Sequence, residues 1–246
     1  MGVVRYEANP PKVVSGVDVD AAVARNLERL LAIASNCDAV HITENVLGFE
    51  RVPPMTIGRM LRERMPGMQV TVSLRVRDKT ENEIATFADE CIGAGFDGIL
   101  VLMGDPPRDG KPDTGQVPSA VMRRFREQGI GSKIDLYMSI PNEPSEAQIR
   151  GKIESHPDGF FTQVVQNTQQ VRSLAGRLDG FKLVPIMLHP SPRNRRSAEF
   201  LRLNLDAYAG RFGQFVREVH CITGDVLITS PNDFAAANAF LAELKM

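Results

Sequence analysis

The feature that most constrains this chain is an alternation. A short β-rich run is followed by a longer stretch of helical period, and the pair recurs eight times. Strands are expected at Val3–Tyr6, Asp38–Ile42, Gln69–Leu74, Gly98–Met103, Lys133–Ile140, Phe160–Val164, Lys182–Leu188 and Val226–Thr229. Helices are expected over Asp18–Ser35, Thr56–Met65, Val117–Gln128, Ser145–Glu154 and Thr168–Leu178, and from a Thr80 cap to about Gly93. A long helical region spans Ser197–Val219, interrupted near Gly210, and a last helix spans Asn232–Leu244.

Local chemistry agrees with the pattern. Thr80 and Glu83 are spaced as a capping box, in which hydroxyl and carboxylate each satisfy the other's backbone donor. Gly98–Met103 is unbroken apolar sequence, as a parallel strand buried on both faces requires. Pro185 lacks an N–H, so the seventh strand needs a local adjustment in its ladder. Eight strands could also form an open doubly wound sheet, but no Gly-x-Gly-x-x-Gly follows the first. Regular units of roughly 30 residues predict an α/β fold, a single (βα)8 TIM barrel forming one domain over residues 1–246.

Composition narrows the class. Hydrophobic residues make up 43%, enough for a core, and 29 Lys plus Arg against 30 Asp plus Glu leave a net charge of −1. That balance argues against a nucleic-acid binder. No apolar run reaches the roughly 20 residues of a membrane span, and the first residues do not read as a secretory signal. Cys37, Cys91 and Cys221 are isolated and suggest no disulfide framework. A cytoplasmic protein is the expectation. His41, His156 and His220 lack metal-ligand spacing, so no metal site is expected.

In a barrel of this kind the chemistry sits at the C-terminal strand ends. The polar residues expected there include Glu7, Thr43, Arg75, Asp105, Asn142, Gln163, His189 and Ser230. Glu7 and Asp105 each read as following a strand, and each precedes a Pro-Pro pair, Pro10-Pro11 and Pro106-Pro107, that fixes φ and restricts its loop. The plainer reading is that each proline pair only turns the chain.

Glu7-Ala8-Asn9-Pro10-Pro11-Lys12, Gly104-Asp105-Pro106-Pro107 and Thr162-Gln163, in this order after the first, fourth and sixth strands, resemble the methylenetetrahydrofolate reductases. The resemblance runs through nearly the whole chain. It implies hydride transfer to the methylene carbon of 5,10-methylenetetrahydrofolate or a related pterin, giving the 5-methyl form. Glu7 matches that family's general acid, which protonates the leaving nitrogen as the imidazolidine ring opens to an iminium. Asp105 matches a residue beside the flavin that hydrogen-bonds the pterin; its carboxylate can also stabilise the iminium, which makes it a catalytic candidate beside Glu7, and Gln163 matches a pterin-binding glutamine. Arg193 and Ser230 join them as substrate-binding candidates. Thr43, Arg75, Gly104, Asp105, Asn142 and Lys152 are the cofactor-binding candidates, with FAD the cofactor implied.

Two stretches depart from the family. Its third strand carries His-Leu-Thr where this chain has Ser73-Leu74-Arg75, and the Tyr-Pro and His after its fifth strand are replaced by Ile140-Pro141-Asn142-Glu143-Pro144. A flavin-free member, taking hydride directly from NAD(P)H or a deazaflavin, would use the same Glu7, Asp105 and Gln163. A pterin-dependent methyltransferase and a non-catalytic folate-binding subunit are the alternatives. Arg193, Arg195 and Arg196 read either as a solvated helix start or as contacts for a glutamate tail or a dinucleotide phosphate. Association into a homo-oligomer through outer helices is compatible with the sequence, which shows no distinctive apolar stripe.

Overall fold

The computed structural model describes residues 2–244. Eight parallel strands close into a barrel in sequence order: β1 (Val3–Ala8), β2 (Ala39–Ile42), β3 (Gln69–Arg75), β4 (Gly98–Leu102), β5 (Asp135–Ile140), β6 (Gly159–Val164), β7 (Lys182–Leu188) and β8 (Asp225–Thr229). Closure is made by β1 on β8, with Val3 opposite Asp225 and Tyr6 opposite Ile228. Outside lie α1 (Val19–Ala34), α2 (Pro54–Arg64), α3 (Glu81–Gly93), α4 (Pro118–Glu127), α5 (Glu146–Ile153), α6 (Thr168–Arg177), α7 (Arg195–Phe200), α8 (Phe212–Thr223) and α9 (Phe234–Glu243). Among the described residues, no helix is long and apolar enough to cross a membrane.

The helices start where the sequence supplies caps. Thr80 and Glu83 form the expected capping box on α3, and Ser145 with Gln148 forms a second on α5. Proline occupies the first turn of α2 and of α4, where its missing N–H costs nothing. Alternate strand residues such as Ile42, Val72, Val101 and Met138 are fully or almost fully buried in the main core, which includes inward-facing helix residues such as Ile57 and Phe125.

The other alternation fills the barrel itself, in layers. Leu100, Tyr137, Phe161, Val184 and Leu227 form an apolar middle. At the N-terminal end Arg5 makes a two-pronged bond to Asp225 (2.8 and 2.6 Å), and Lys182 meets Asp135 (2.6 Å). Toward the C-terminal end the interior turns polar again, with Glu7, His41, Ser73 and Thr229.

Two local departures have physical causes. The expected helix over Ser197–Val219 is instead α7, two short 3-10 turns and α8. Arg202 leaves the helix with φ +54°, and buried Tyr208 reaches back to donate to the Leu188 carbonyl (3.2 Å) at the end of β7. The interruption is thus a crossing over the strand end. The second departure surrounds Pro185. Phe161 is opposite Val184, but Val164 is opposite Ile186, so β6 carries one extra residue. The Thr162 hydroxyl accepts the Ile186 N–H (3.1 Å), completing the ladder where it shifts.

Candidate active site at the barrel mouth

Glu7 does not follow the first strand: it lies within β1, which extends to Ala8. Two residues after Arg5, it points into the barrel on the same face. The Thr229 hydroxyl donates to its Oε1 (2.6 Å), tying β1 to β8. Its carboxyl is densely surrounded by protein, although the residue keeps some exposure to the mouth. Burial raises its pKa, against the opposing pull of the Thr229 hydrogen bond and the Arg51 charge.

Beside it on β2, opposite Glu7 in the register, stands His41. Both ring nitrogens are engaged, Nδ1 with Thr71 Oγ1 (2.9 Å) and Nε2 with Ser73 Oγ (3.0 Å), and the ring packs on Phe161 at 4.9 Å. Burial drives its pKa down to about 3, with Arg5 adding repulsion, so the ring is neutral and held rigidly.

Asp105 is exposed on the loop after β4, where its Oδ2 accepts the Leu47 N–H (3.0 Å) from the loop after β2. The loops after β1, β2 and β4 are locked together. Lys12 pairs with Arg51 in an antiparallel bridge, and Lys12 and Arg108 flank the Phe49 ring at 3.8 and 4.0 Å. Gln163 lies at the bulge of β6 and is exposed there, although it belongs to a strand. Asn142 donates to the Val164 carbonyl (2.7 Å), while its buried Oδ1 has no partner.

Glu7, Asp105, Gln163 and Asn142 therefore all belong to the C-terminal end of the barrel. Of the other candidates, Arg75, Thr43 and Ser230 are engaged by neighbouring protein groups. Arg75 is 1% exposed and pairs with Asp78 (2.6 Å), and it packs so closely under Gly104 that a Cβ there would stand 2.2 Å from Arg75 Cγ. The Thr43 hydroxyl bonds Asn9 Oδ1 (2.9 Å). Ser230 is buried, accepting from Asn194 (2.8 Å) and donating to the Asp233 carbonyl (2.7 Å); it ties the loops after β7 and β8 together. Lys152 sits in the last turn of α5, which runs from the mouth toward the opposite rim, as every such helix must to return the chain. Arg193 is exposed on the loop before α7.

Thr229 and Arg51 escaped the sequence reading. Counting strand parity would have found Thr229, two residues after the inward-facing Leu227; nothing comparable marks Arg51, which reaches Glu7's field from a loop. Among the described residues, no cluster of His, Cys, Asp or Glu is arranged to hold a metal.

No family model and no curated protein sequence matches the chain. Solved structures share its fold. An uncharacterized protein from Clostridium thermocellum, described as binding two copies of 5-methyl-5,6,7,8-tetrahydrofolic acid, superposes with a TM-score of 0.66 at 13% identity, covering 98% of this chain and 94% of its own. The 2,3-dimethylmalate lyase, a member of the PEP mutase/isocitrate lyase superfamily, gives 0.60 at 13% identity, covering 98% and 78%.

Proposed function

We propose that the barrel mouth binds a reduced folate or related pterin carrying a one-carbon unit, and that Glu7 is the general acid of its reductive conversion to the 5-methyl form. The observation that carries this reading is the setting of Glu7. It is a carboxyl fixed within a strand by Thr229, open to the mouth, with its pKa raised by burial so that the proton is available nearer neutrality. The Clostridium thermocellum barrel that binds 5-methyltetrahydrofolate supports a folate ligand. Exposed Gln163 offers donor and acceptor together, Asp105 offers a carboxylate to the pterin's N–H edge, and the free Oδ1 of Asn142 offers an acceptor.

In the proposed step Glu7 gives its proton to the leaving nitrogen, the bond from that nitrogen to the methylene carbon breaks, and an iminium forms. Hydride from a reduced nicotinamide or reduced deazaflavin, acting as a second substrate, then converts the methylene carbon to methyl. The carboxylate left on Glu7 regains a proton from solvent.

The flavin implied by the resemblance does not fit the residues present. Where that family places a His, Ser73 is buried and bonded to His41; where it places an aromatic, Ile140 is buried in the core; and Arg75 fills the space beneath Gly104. No step is therefore routed through FAD.

The test is Glu7→Gln, assayed for 5-methyl product with NADH, NADPH and a reduced deazaflavin, alongside calorimetric binding of 5-methyltetrahydrofolate. Turnover falling at least 100-fold with binding retained supports the acid role. Unchanged turnover refutes it. Methyl transfer to a corrinoid or thiol acceptor without any hydride donor would replace the reductase reading.

A further inference from the structure

Among the described residues, every well-exposed large apolar side chain lies in a connection from a strand to its following helix, on the mouth side of the barrel. The most exposed is Phe200, at 68%, the last residue of α7, and Leu201, which caps that helix, adjoins it at 44%. Arg193, Arg195, Arg196 and Arg202 surround them in sequence, all exposed. None makes an ion pair or side-chain hydrogen bond among the described residues, whereas Arg62, Arg124, Arg126 and Arg177 each hold a carboxylate. Glu199 and Asp206 are the carboxylates of the same segment, and the excess stays positive on a chain whose net charge is −1.

The segment is braced. Ala198 is buried beneath it, Asn232 Nδ2 donates to Ser197 Oγ (2.8 Å), and the Asn204 N–H donates to Gln166 Oε1 (2.9 Å). It is thus tied to the loops after β6 and β8, which flank the mouth. Arg202 closes α7 in the left-handed region, φ +54°, where glycine would be easier. A rigid surface that keeps an aromatic side chain in water beside unpaired arginines is prearranged for a contact.

We propose that this face of α7 is the docking surface for an acidic protein partner that covers the barrel mouth. Charge selects the occupant. A two-fold pairing of identical copies would set arginine against arginine, which disfavours a second copy. A lipid surface calls for a longer amphipathic face than these six residues provide. A small anion would neutralise arginines but leave Phe200 exposed. The proposal holds whichever reaction the mouth performs.

The probe is a phage-displayed random peptide library, panned on the full chain and on the surface variants R193E/R196E and F200S. Thermal melting of each variant checks that the fold is intact. Peptides rich in Asp and Glu around a large apolar residue should be enriched. They should bind at least 10-fold more weakly to either variant, and should weaken as salt rises. No enrichment over the variants, or an enriched pool without acidic excess, overturns the proposal. Three other outcomes also overturn it. Concentration-dependent self-association lost in F200S assigns the face to a second copy, and F200S-sensitive binding to phosphatidylserine vesicles assigns it to lipid. Tri-γ-glutamate binding undiminished in F200S but lost in R193E/R196E assigns the arginines to a small polyanion.

Discussion

Asp225→Ala tests how the interior of the barrel is held. The carboxylate it removes meets Arg5 at 2.8 and 2.6 Å, with side-chain exposures of 13% for Asp225 and 5% for Arg5. The variant leaves a guanidinium inside the barrel without its counter-charge, a change that costs about 3–5 kcal/mol in comparable buried pairs. A polar cavity of about 530 Å³ opens beside the pair, lined in part by Lys182, Asp135 and Tyr137, so water can reach the orphaned group. That places the expected loss near the lower end, about 3 kcal/mol. For a chain of this size the midpoint of thermal unfolding should fall by roughly 6–12 °C. The double variant Arg5→Met with Asp225→Leu removes both charges and should recover most of the loss, ending within about 1.5 kcal/mol of the parent. Urea unfolding followed by circular dichroism and fluorescence measures both. A single variant that loses under about 1 kcal/mol, or a double variant as damaged as the single, would refute the reasoning.

Other predictions bear on the mouth. His41 takes up a proton at about 6.5 when unfolded but only at about 3 when folded, so the unfolded state binds more protons across that interval and stability must fall as pH drops through it. The contribution approaches about 1.4 kcal/mol per pH unit; urea midpoints at pH 4 and 6.5 should show it, and His41→Gln should flatten it. Thr229→Val removes a hydrogen bond that lowers the Glu7 pKa, so the alkaline limb of the activity profile, where the acid is lost, should move to higher pH. A limb that moves down would contradict the assigned partner. Ser230→Ala should cost about 1–2 kcal/mol of stability through the Asn194 bond, with KM for the pterin unchanged; a raised KM at unchanged stability would return Ser230 to the substrate.

Much of the fold was legible because its determinants are local. The apolar run of β4, the Thr80–Glu83 cap and the spacing of the units each act within a few residues, and each appears in the structure where expected. Pro185 announced a fault in the ladder, and the fault lies beside it, at the bulge that bears Gln163. The break between α7 and α8 was less legible, because Tyr208 ends the helical pattern by reaching a strand terminus 20 residues away. The mouth could be read as a set of residue types but not as a set of partners. Asp105, Gln163 and Asn142 sit at that end as their strands predict. Arg75 and Ser230 have the chemistry of ligands but are consumed by Asp78 and Asn194, contacts that no spacing rule reveals. Lys152, a candidate through the resemblance alone, lies in the last turn of α5, a position that sequence likeness does not reveal.

The hydrogen bond between Thr229 and Glu7 spans 222 positions of sequence, and the pair Arg5–Asp225 spans 220. Both join the earliest strand to the last. During synthesis, then, the first seven strands can emerge before the carboxyl of Glu7 has its hydrogen-bond partner, and only the arrival of β8 gives it one. A nascent or prematurely terminated chain would carry the acid but not its setting. The setting of the Glu7 carboxyl is thereby coupled to closure of the barrel: it is made only once the first strand and the last have met.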